Sequence, residues 1–330
     1  MTAIDAAPRS LGEIQAPVRE QLDQVTNEMS RIISQDLPFL HQISAHLMAM
    51  RGKLFRPTIV LLSSQTAGTL DPRATTLAAT VELIHLATLV HDDAIDHSVL
   101  RRGMPTLNAL FSHQISVIMG DFLYSTTLSE LVRVGDIEVL RSLTRASTDM
   151  TLGEMRQLSV ADSLSFSEDD YYALIRAKTG SLMASAAEIG SLCGAQAYRS
   201  DLLEFGEALG MVFQISDDLI DYTEAQETTG KPTGLDLREH KVTLPLIAAM
   251  RTMPANQRKR VSELFASPEP TDAMVSDVLS IVAENGGLEY ARTKGEYFAE
   301  RARKALIPLP ETVARRSLMD SITYVMERHS

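Results

Sequence analysis

The chain has 330 residues, 45% of them apolar, enough to bury a large core as one big domain or two ordinary ones. Its 31 Lys and Arg against 43 Asp and Glu leave a net charge of −12, which excludes nucleic-acid binding carried by overall charge; a polyanion would need a local basic site or bridging metal. The single cysteine, Cys193, excludes an intrachain disulfide and a cysteine-based zinc site, and in the apolar setting SLCGA it reads as a core residue.

Residues 1–17, with Pro8 and Pro17, read as a ragged N-terminal segment without the basic-then-apolar pattern of a signal peptide. From residue 18 helical periodicity takes over: Val18, Leu22, Val25, Met29 and Ile32 recur at spacings of three and four within 18–50. Similar patterns cover 57–68, 73–97, 107–134, 137–161, 168–195, 200–222, 242–252, 257–266, 271–285, 287–305 and 311–328. Gly and Pro punctuate them at Gly52, Gly68, Gly103, Pro105, Gly135, Gly230, Pro232, Pro254 and Pro268, and no alternating strand is convincing. The pattern predicts an all-α protein, a single domain over 18–330 built as a bundle of ten or more helices, without linker or regular repeat. No run approaches the roughly 18 apolar residues of a membrane span, so the expectation is a cytoplasmic protein with no transmembrane segment.

Two DD-x-x-D tetrads, Asp92-Asp93-Ala94-Ile95-Asp96 and Asp217-Asp218-Leu219-Ile220-Asp221, each follow an apolar helical run. Residues four apart share a helix face, so Asp92 and Asp96 point the same way, as do Asp217 and Asp221. Carboxylates clustered like this repel one another unless something positive lies between them. Two clusters brought face to face would hold hard divalent cations, Mg²⁺ first among them, and those ions would grip a diphosphate. One tetrad alone reads equally well as a helix cap or a solvated acidic face; two, both set in apolar sequence, do not read as surface.

Basic residues gather as a diphosphate site requires. Lys53 and Arg56 stand at a helix start, with Pro57 in the first turn. Arg101 and Arg102 follow the first tetrad, and Lys178-Thr179-Gly180 interrupts an apolar segment. Lys231, in a Gly/Thr-rich stretch, and Lys241 follow the second tetrad. Singly each reads as a surface charge; with the tetrads they read as one anion-binding assembly. His85, seven residues before Asp92, shares its face, the alternative being a satisfied core histidine. Gln214, three before Asp217, reads as a ligand contact or a helix–helix hydrogen bond.

In this order and spacing GKLFRP, ELIHLATLVHDDAIDHSVLRRGMPT, KTG, FQISDDLID and GKPTGLDLREHKVTLPLI resemble the trans-isoprenyl diphosphate synthases of the polyprenyl synthetase family, over most of residues 18–330. The resemblance implies an all-α homodimer whose helices wall a central cavity, joining an allylic diphosphate to isopentenyl diphosphate with about three Mg²⁺ per active site. It implies that Asp92 and Asp96 bind two ions with Asp93 in support, and that Asp217 binds a third with Asp218 and Asp221 acting through water or indirect contacts. Arg101, Lys178 and Lys241 would hold the allylic diphosphate, with Lys231 closing over it from a mobile loop. Lys53, Arg56, His85 and Arg102 would hold isopentenyl diphosphate, while Thr179 and Gln214 offer oxygen dipoles to the carbocation. Three positions depart from the family pattern: Arg51 and His240 stand where glycine is frequent, and Leu54 where a basic residue is common.

Ala87 and Thr88 lie five and four residues before Asp92, roughly one helical turn deeper, where aromatic residues close the cavity of short-chain members. Both are small, and Tyr124, Thr127, Leu128 and Leu131 on the segment 107–134 are candidates for a floor below them. The expectation is an all-trans product of C30 or longer, with C20 or C15 as the competing lengths. A terpene cyclase would share the first tetrad without needing Lys53, Arg56 and Arg102, and a non-catalytic synthase subunit tends to lose one of the tetrads; this chain keeps both.

Overall fold

The structure, a computed structural model, describes residues 9–50, 52–68, 71–159, 163–223 and 233–328. Among these the helices are α1 (Leu11–Gln15), α2 (Arg19–Ile33), α3 (Pro38–Ala49), α4 (Phe55–Gln65), α5 (Arg73–Ile95), α6 (Leu107–Leu110), α7 (His113–Val134), α8 (Ile137–Ser159), α9 (Glu168–Ile175), α10 (Ser181–Leu192) and α11 (Arg199–Thr223). They continue with α12 (Leu235–Arg238), α13 (Leu244–Thr252), α14 (Ala255–Ala266), α15 (Asp272–Glu284), α16 (Gly287–Leu306) and α17 (Val313–Glu327). The all-α expectation therefore holds.

Helix α5 is the centre of the bundle. By length and composition it would pass for a membrane-crossing helix, with a mean hydropathy of 1.3. Its apolar residues are spent instead on protein neighbours: Leu77, Val81, Leu83, Ile84 and Val90 are buried against α2, α4, α7 and α10. Helix α11 packs between α10 and α16, and a single hydrophobic core runs from Ile14 to Val325. Polar clasps lock the outer helices onto this core. Glu188 of α10 takes Ser142 Oγ at 2.5 Å, Arg145 at 2.7 Å and Arg199 at 2.8 Å, tying α8, α10 and α11 together. Glu168 of α9 takes the hydroxyls of Tyr172 (2.7 Å) and Tyr290 (2.9 Å) and the Arg251 guanidinium, joining α9, α13 and α16.

Several details depart from the sequence reading. The segment expected to be ragged already carries α1, opened by a Ser10–Glu13 capping box, and Ile14 and Val18 are fully buried. The pattern over 18–50 breaks into α2 and α3 because Pro38 suits the first turn of a new helix and not the interior of an old one. The pattern over 107–134 breaks after Leu110, and Ser112 starts α7 by accepting the Ile115 N–H at 3.2 Å. A two-residue hairpin, β1 (Leu100–Arg101) with β2 (Met104–Pro105), follows the first tetrad. Its turn residues Arg102 and Gly103 both have positive φ (52° and 74°), the geometry that matches the twist of paired strands. Strands this short have no alternation to read.

Candidate active site

The tetrads occupy the C-terminal ends of α5 and α11, and a cavity of about 590 Å³ lies between them, lined by Asp96, Lys178, Gln214, Asp218, Asp236 and Lys241 among others. A larger groove of about 970 Å³ bordered by α11, α16 and α17 contains none of the tetrad aspartates. Around the 590 Å³ cavity negative charge is under-compensated. Burial pushes the Asp92 carboxyl up to about 6; Lys178 pulls it down while Glu154 and Asp96 push it further up. Asp236 is pushed up to about 7 by burial and by Asp221 beside it. Carboxylates held in this state, offering only oxygen, suit a hard divalent cation. Among the described residues no group of three or more His, Cys, Asp or Glu side chains is arranged to hold a metal ion by itself; an ion here would draw on water and substrate phosphate for its coordination.

The six tetrad aspartates divide by what they touch. Asp92 is partly buried and Asp96 exposed at the end of α5. Asp93 turns inward and accepts the Arg101 guanidinium on both oxygens (2.9 Å each from Nε, 2.8 Å to the outer nitrogen), so it orients Arg101. Asp217 is paired with Arg328, whose guanidinium lies 3.7 Å from the Phe213 ring centroid and donates to the Phe213 carbonyl at 3.1 Å. Asp218 is enclosed; its oxygens accept Tyr171 Oη (2.6 Å) and Gln214 Nε2 (2.8 Å). Burial above all, with Asp236 and Asp217, holds its carboxyl well above the ordinary range, against the pull of those two hydrogen bonds. Asp221 accepts the backbone N–H groups of Leu235 and Asp236, each at 3.0 Å, and so anchors the start of α12.

Thr179 and Lys178 sit in a single π-helical turn, Arg176–Gly180, between α9 and α10. Such turns shift side chains off the α-helical register and recur at functional sites. Gly210 lets α11 close on this turn: a Cβ there would stand 2.6 Å from the Gly180 Cα. One turn along, Thr179 Oγ1 consequently reaches Gln214 Oε1 at 2.8 Å. Lys178 is held by Glu154 of α8 at 2.5 Å, and Lys241 by Glu239 at 2.6 Å. Burial lowers the Lys241 pKa, but Glu239, Asp236 and Asp96 more than offset it, so this ammonium stays charged.

The second basic group lies between α4, the start of α5's lower half and the hairpin turn. The Nε of Arg56 is buried with no hydrogen-bond partner, and Glu82 and Asp217 are the carboxylates that offset its burial. Glu82 is itself enclosed, and burial raises its pKa against the pull of Arg56 and Arg102. His85 is pushed well below its usual value by burial and by Arg56, Arg102 and Arg101, so it is neutral and serves an anion only as a hydrogen-bond donor. Arg102 donates to the Met50 carbonyl at 3.0 Å and lies across Gly52, where a Cβ would stand 2.7 Å from both terminal guanidinium nitrogens. Lys53 is exposed, with its backbone carbonyl taken by Gln15 at 2.8 Å. Lys231 and Arg51 lie outside the described residues.

None of the expected tail-pocket residues lines the 590 Å³ cavity. Ala87 (2% exposed), Thr127 (0%) and Leu131 (1%) are packed in the core, whereas Thr88, Tyr124 and Leu128 keep some exposure. Sequence reasoning missed Tyr171, Arg328, Glu82, Glu154 and Asp236. Only Glu82 had a local signal, ten residues before Asp92 on the same helix and charged within an apolar run.

An all-α bundle that sets the carboxylate-bearing ends of two helices around a cavity with Lys178 and Lys241 on its wall, and holds a second basic group at Arg56 and Arg102, suits diphosphate chemistry. The family comparison agrees: residues 37–282 match the model for polyprenyl synthetase, and the chain belongs to that family. It is 35% identical over 318 residues to the all-trans-nonaprenyl-diphosphate synthase (geranyl-diphosphate specific) of Rhodobacter capsulatus, covering 96% of this chain and 97% of that one. It is 33% identical over 298 residues to the octaprenyl diphosphate synthase of Escherichia coli, covering 90% and 92%. Among solved structures, a polyprenyl synthase from Caulobacter crescentus complexed with calcium and isoprenyl diphosphate matches with a TM-score of 0.92 at 30% identity, over 98% of this chain and all of that one. The chain is a prenyl diphosphate synthase, a trans-prenyltransferase whose family uses a divalent metal.

Gly52 provides a direct check on the Arg102 site. Gly52→Ala displaces the guanidinium; if Arg102 holds isopentenyl diphosphate, loss of that charge-assisted phosphate contact, about 1.5–3 kcal/mol, raises KM for this substrate by roughly tenfold or more with kcat little changed. Steady-state kinetics with isopentenyl diphosphate as the varied substrate measures it; an unchanged KM removes Arg102 from that site.

Proposed function

We propose that this chain makes an all-trans polyprenyl diphosphate of C30 or longer, adding isopentenyl diphosphate repeatedly to an allylic primer, with Mg²⁺ and as a homodimer. The observation that carries the reading is the cavity lined by Asp96 of the first tetrad and Asp218 of the second, with Lys178 and Lys241 on its wall. The long product is supported by the small residues Ala87 and Thr88 below Asp92 and by the nonaprenyl and octaprenyl synthases among the relatives. The dimer is supported by exposed apolar side chains on neighbouring helices, Ile118 and Val132 on α7 and Leu152 and Met155 on α8, which are 48–68% exposed.

Asp92, Asp96 and Asp217 would hold the ions, about three in number, whose charge neutralises the departing diphosphate. Arg101, Lys178 and Lys241 bind that diphosphate; Arg56 and Arg102, with neutral His85 as donor, bind isopentenyl diphosphate. The allylic C–O bond breaks and its electron pair leaves with the diphosphate. The double bond of isopentenyl diphosphate then forms the new C–C bond, and the proton shed to restore a double bond passes to a released diphosphate oxygen. Thr179 and Gln214 face positive charge with oxygen, and water, which would quench the cation, has to be kept from it while substrate is bound.

Product analysis of the purified chain with Mg²⁺, labelled isopentenyl diphosphate and farnesyl diphosphate tests the reading. Products of C30 or longer are expected; a stop at C20 overturns the length, and no product from a folded chain overturns the function.

The pH dependence follows from Asp92. With its folded pKa near 6 and the unfolded value near 3.8, the metal-free fold binds a proton in this interval that the unfolded chain does not, so this group's contribution to stability falls as pH rises from about 4 to 6. Bound metal expels that proton. Titration of Mg²⁺ at pH 6 in two buffers of different ionisation enthalpy therefore shows release of roughly half a proton from this group, absent at pH 8 and lost in Asp92→Asn.

A further inference from the structure

Gln214 serves a carbocation with only one end of its amide. The carbonyl oxygen attracts positive charge and the NH₂ repels it, yet the two ends are nearly the same shape, so something must choose between them. Gln214 Nε2 donates to Asp218 Oδ1 at 2.8 Å, and its Oε1 accepts Thr179 Oγ1 at 2.8 Å. The other Asp218 oxygen accepts the Tyr171 hydroxyl at 2.6 Å. Asp218 and Tyr171 are 5% and 2% exposed, so each depends on these partners far more than on solvent. Asp218 lies four residues after Gln214 on α11, on the same face, while Tyr171 reaches it from α9 and Thr179 from the π turn.

We propose that Asp218 and Tyr171 are positioning residues that set the polarity of the Gln214 amide, keeping its oxygen and not its NH₂ toward the reacting carbon. Asp218 acts here through Gln214, which differs from the metal-supporting role that the resemblance implies for it. The two contacts engage one oxygen each: Oδ1 holds the amide, and Oδ2 is held in turn by Tyr171. Tyr171 thereby joins the reaction without touching substrate. The proposal rests on the ionisation reaction described above.

Polarity can be reversed and then restored. In Asp218→Asn the Tyr171 hydroxyl claims the new amide's oxygen, and the new NH₂ faces Gln214. Gln214 must turn its oxygen to accept, presenting its own NH₂ toward Thr179 and the cavity. The expected result is a fall in kcat of about 10²-fold, with KM for both diphosphates within about twofold of wild type. Adding Gln214→Glu puts oxygen at both ends of residue 214, so the double variant recovers at least tenfold of the lost kcat. Tyr171→Phe, which leaves Asp218 with one donor fewer, lowers kcat roughly tenfold and carries the test alone if Asp218→Asn does not fold. Calorimetric titration with Mn²⁺ accompanies the kinetics, and Asp218→Asn binds the metal as wild type does. A double variant no better than the single, a Mn²⁺ affinity that falls in step with kcat, or a Tyr171→Phe enzyme equal to wild type overturns the proposal while leaving the reaction in place. A folded wild-type chain that forms no product from any primer overturns the reaction itself.

Discussion

Asp92→Ala lowers kcat by about 10³-fold or more and leaves the helical circular dichroism intact, and Asp217→Ala does the same. The size follows from the chemistry: a diphosphate leaves only when its developing charge is met, and removal of one preorganised electrostatic contributor costs about 10²–10³ in rate, more when it carries a metal with it. The intact fold follows from position. Asp92 sits in the last turn of α5 with a carboxyl that burial and its neighbours push up to about 6, so the metal-free protein loses an unfavourable charge when alanine replaces it. Asp217 is 44% exposed, and its partner Arg328 keeps the Phe213 carbonyl and ring when the carboxylate is removed. Rate measurements at saturating substrate, with Mg²⁺ raised well above the wild-type requirement, check both variants. Activity within tenfold of wild type in either would remove that residue from the metal site.

Glu188→Ala costs about 3 kcal/mol of stability without changing the activity of the folded fraction. Glu188 is 3% exposed and takes three partners on two oxygens, Ser142 and Arg145 on one and Arg199 on the other. Removing one member of a buried ion pair costs about 3–5 kcal/mol because its partners keep their charge and lose their company. Arg145 and Arg199 are 56% and 33% exposed, so they recover some hydration and the loss falls at the lower end. Chemical denaturation measures it as a lower midpoint with unchanged slope. Arg141→Ala, at a surface pair with Glu138 where the arginine is 70% exposed, is the contrast and shifts the midpoint hardly at all. Equal effects in the two variants would show that Glu188 is not the clasp described.

The sequence makes the helical class and the two tetrads legible because both are local. A period of 3.6 is visible within a dozen residues, and Asp92 to Asp96 spans one turn. Pro38 was an available signal that 18–50 is two helices. The residues that escaped are those whose meaning is a distant partner. Tyr171 matters through Asp218, 47 residues on, and Arg328 through Asp217, 111 residues back. No spacing rule links such pairs; only the packing of α9 and α17 against α11 does. The tail pocket shows the opposite limit. Ala87 is small, as expected, but smallness serves close packing against α7 as readily as an open passage, and its 2% exposure places it in the core of the substrate-free fold.

Four residues other than glycine have left-handed backbone among those described: Leu54, His97, Arg102 and His240, with φ between 51° and 55°. Each costs an L-residue about 1–2 kcal/mol. None lies within a long helix. Leu54 precedes Arg56 at the start of α4, His97 follows Asp96, Arg102 turns the hairpin, and His240 stands beside Lys241. Strain is thus gathered beside the candidate site residues and outside the long helices. Strained turns outside the packed core belong to the least stable parts of a fold, so they are expected to open on warming before the helices beneath them do. The expected result is that turnover falls on mild heating before the helical circular dichroism does, and returns on cooling.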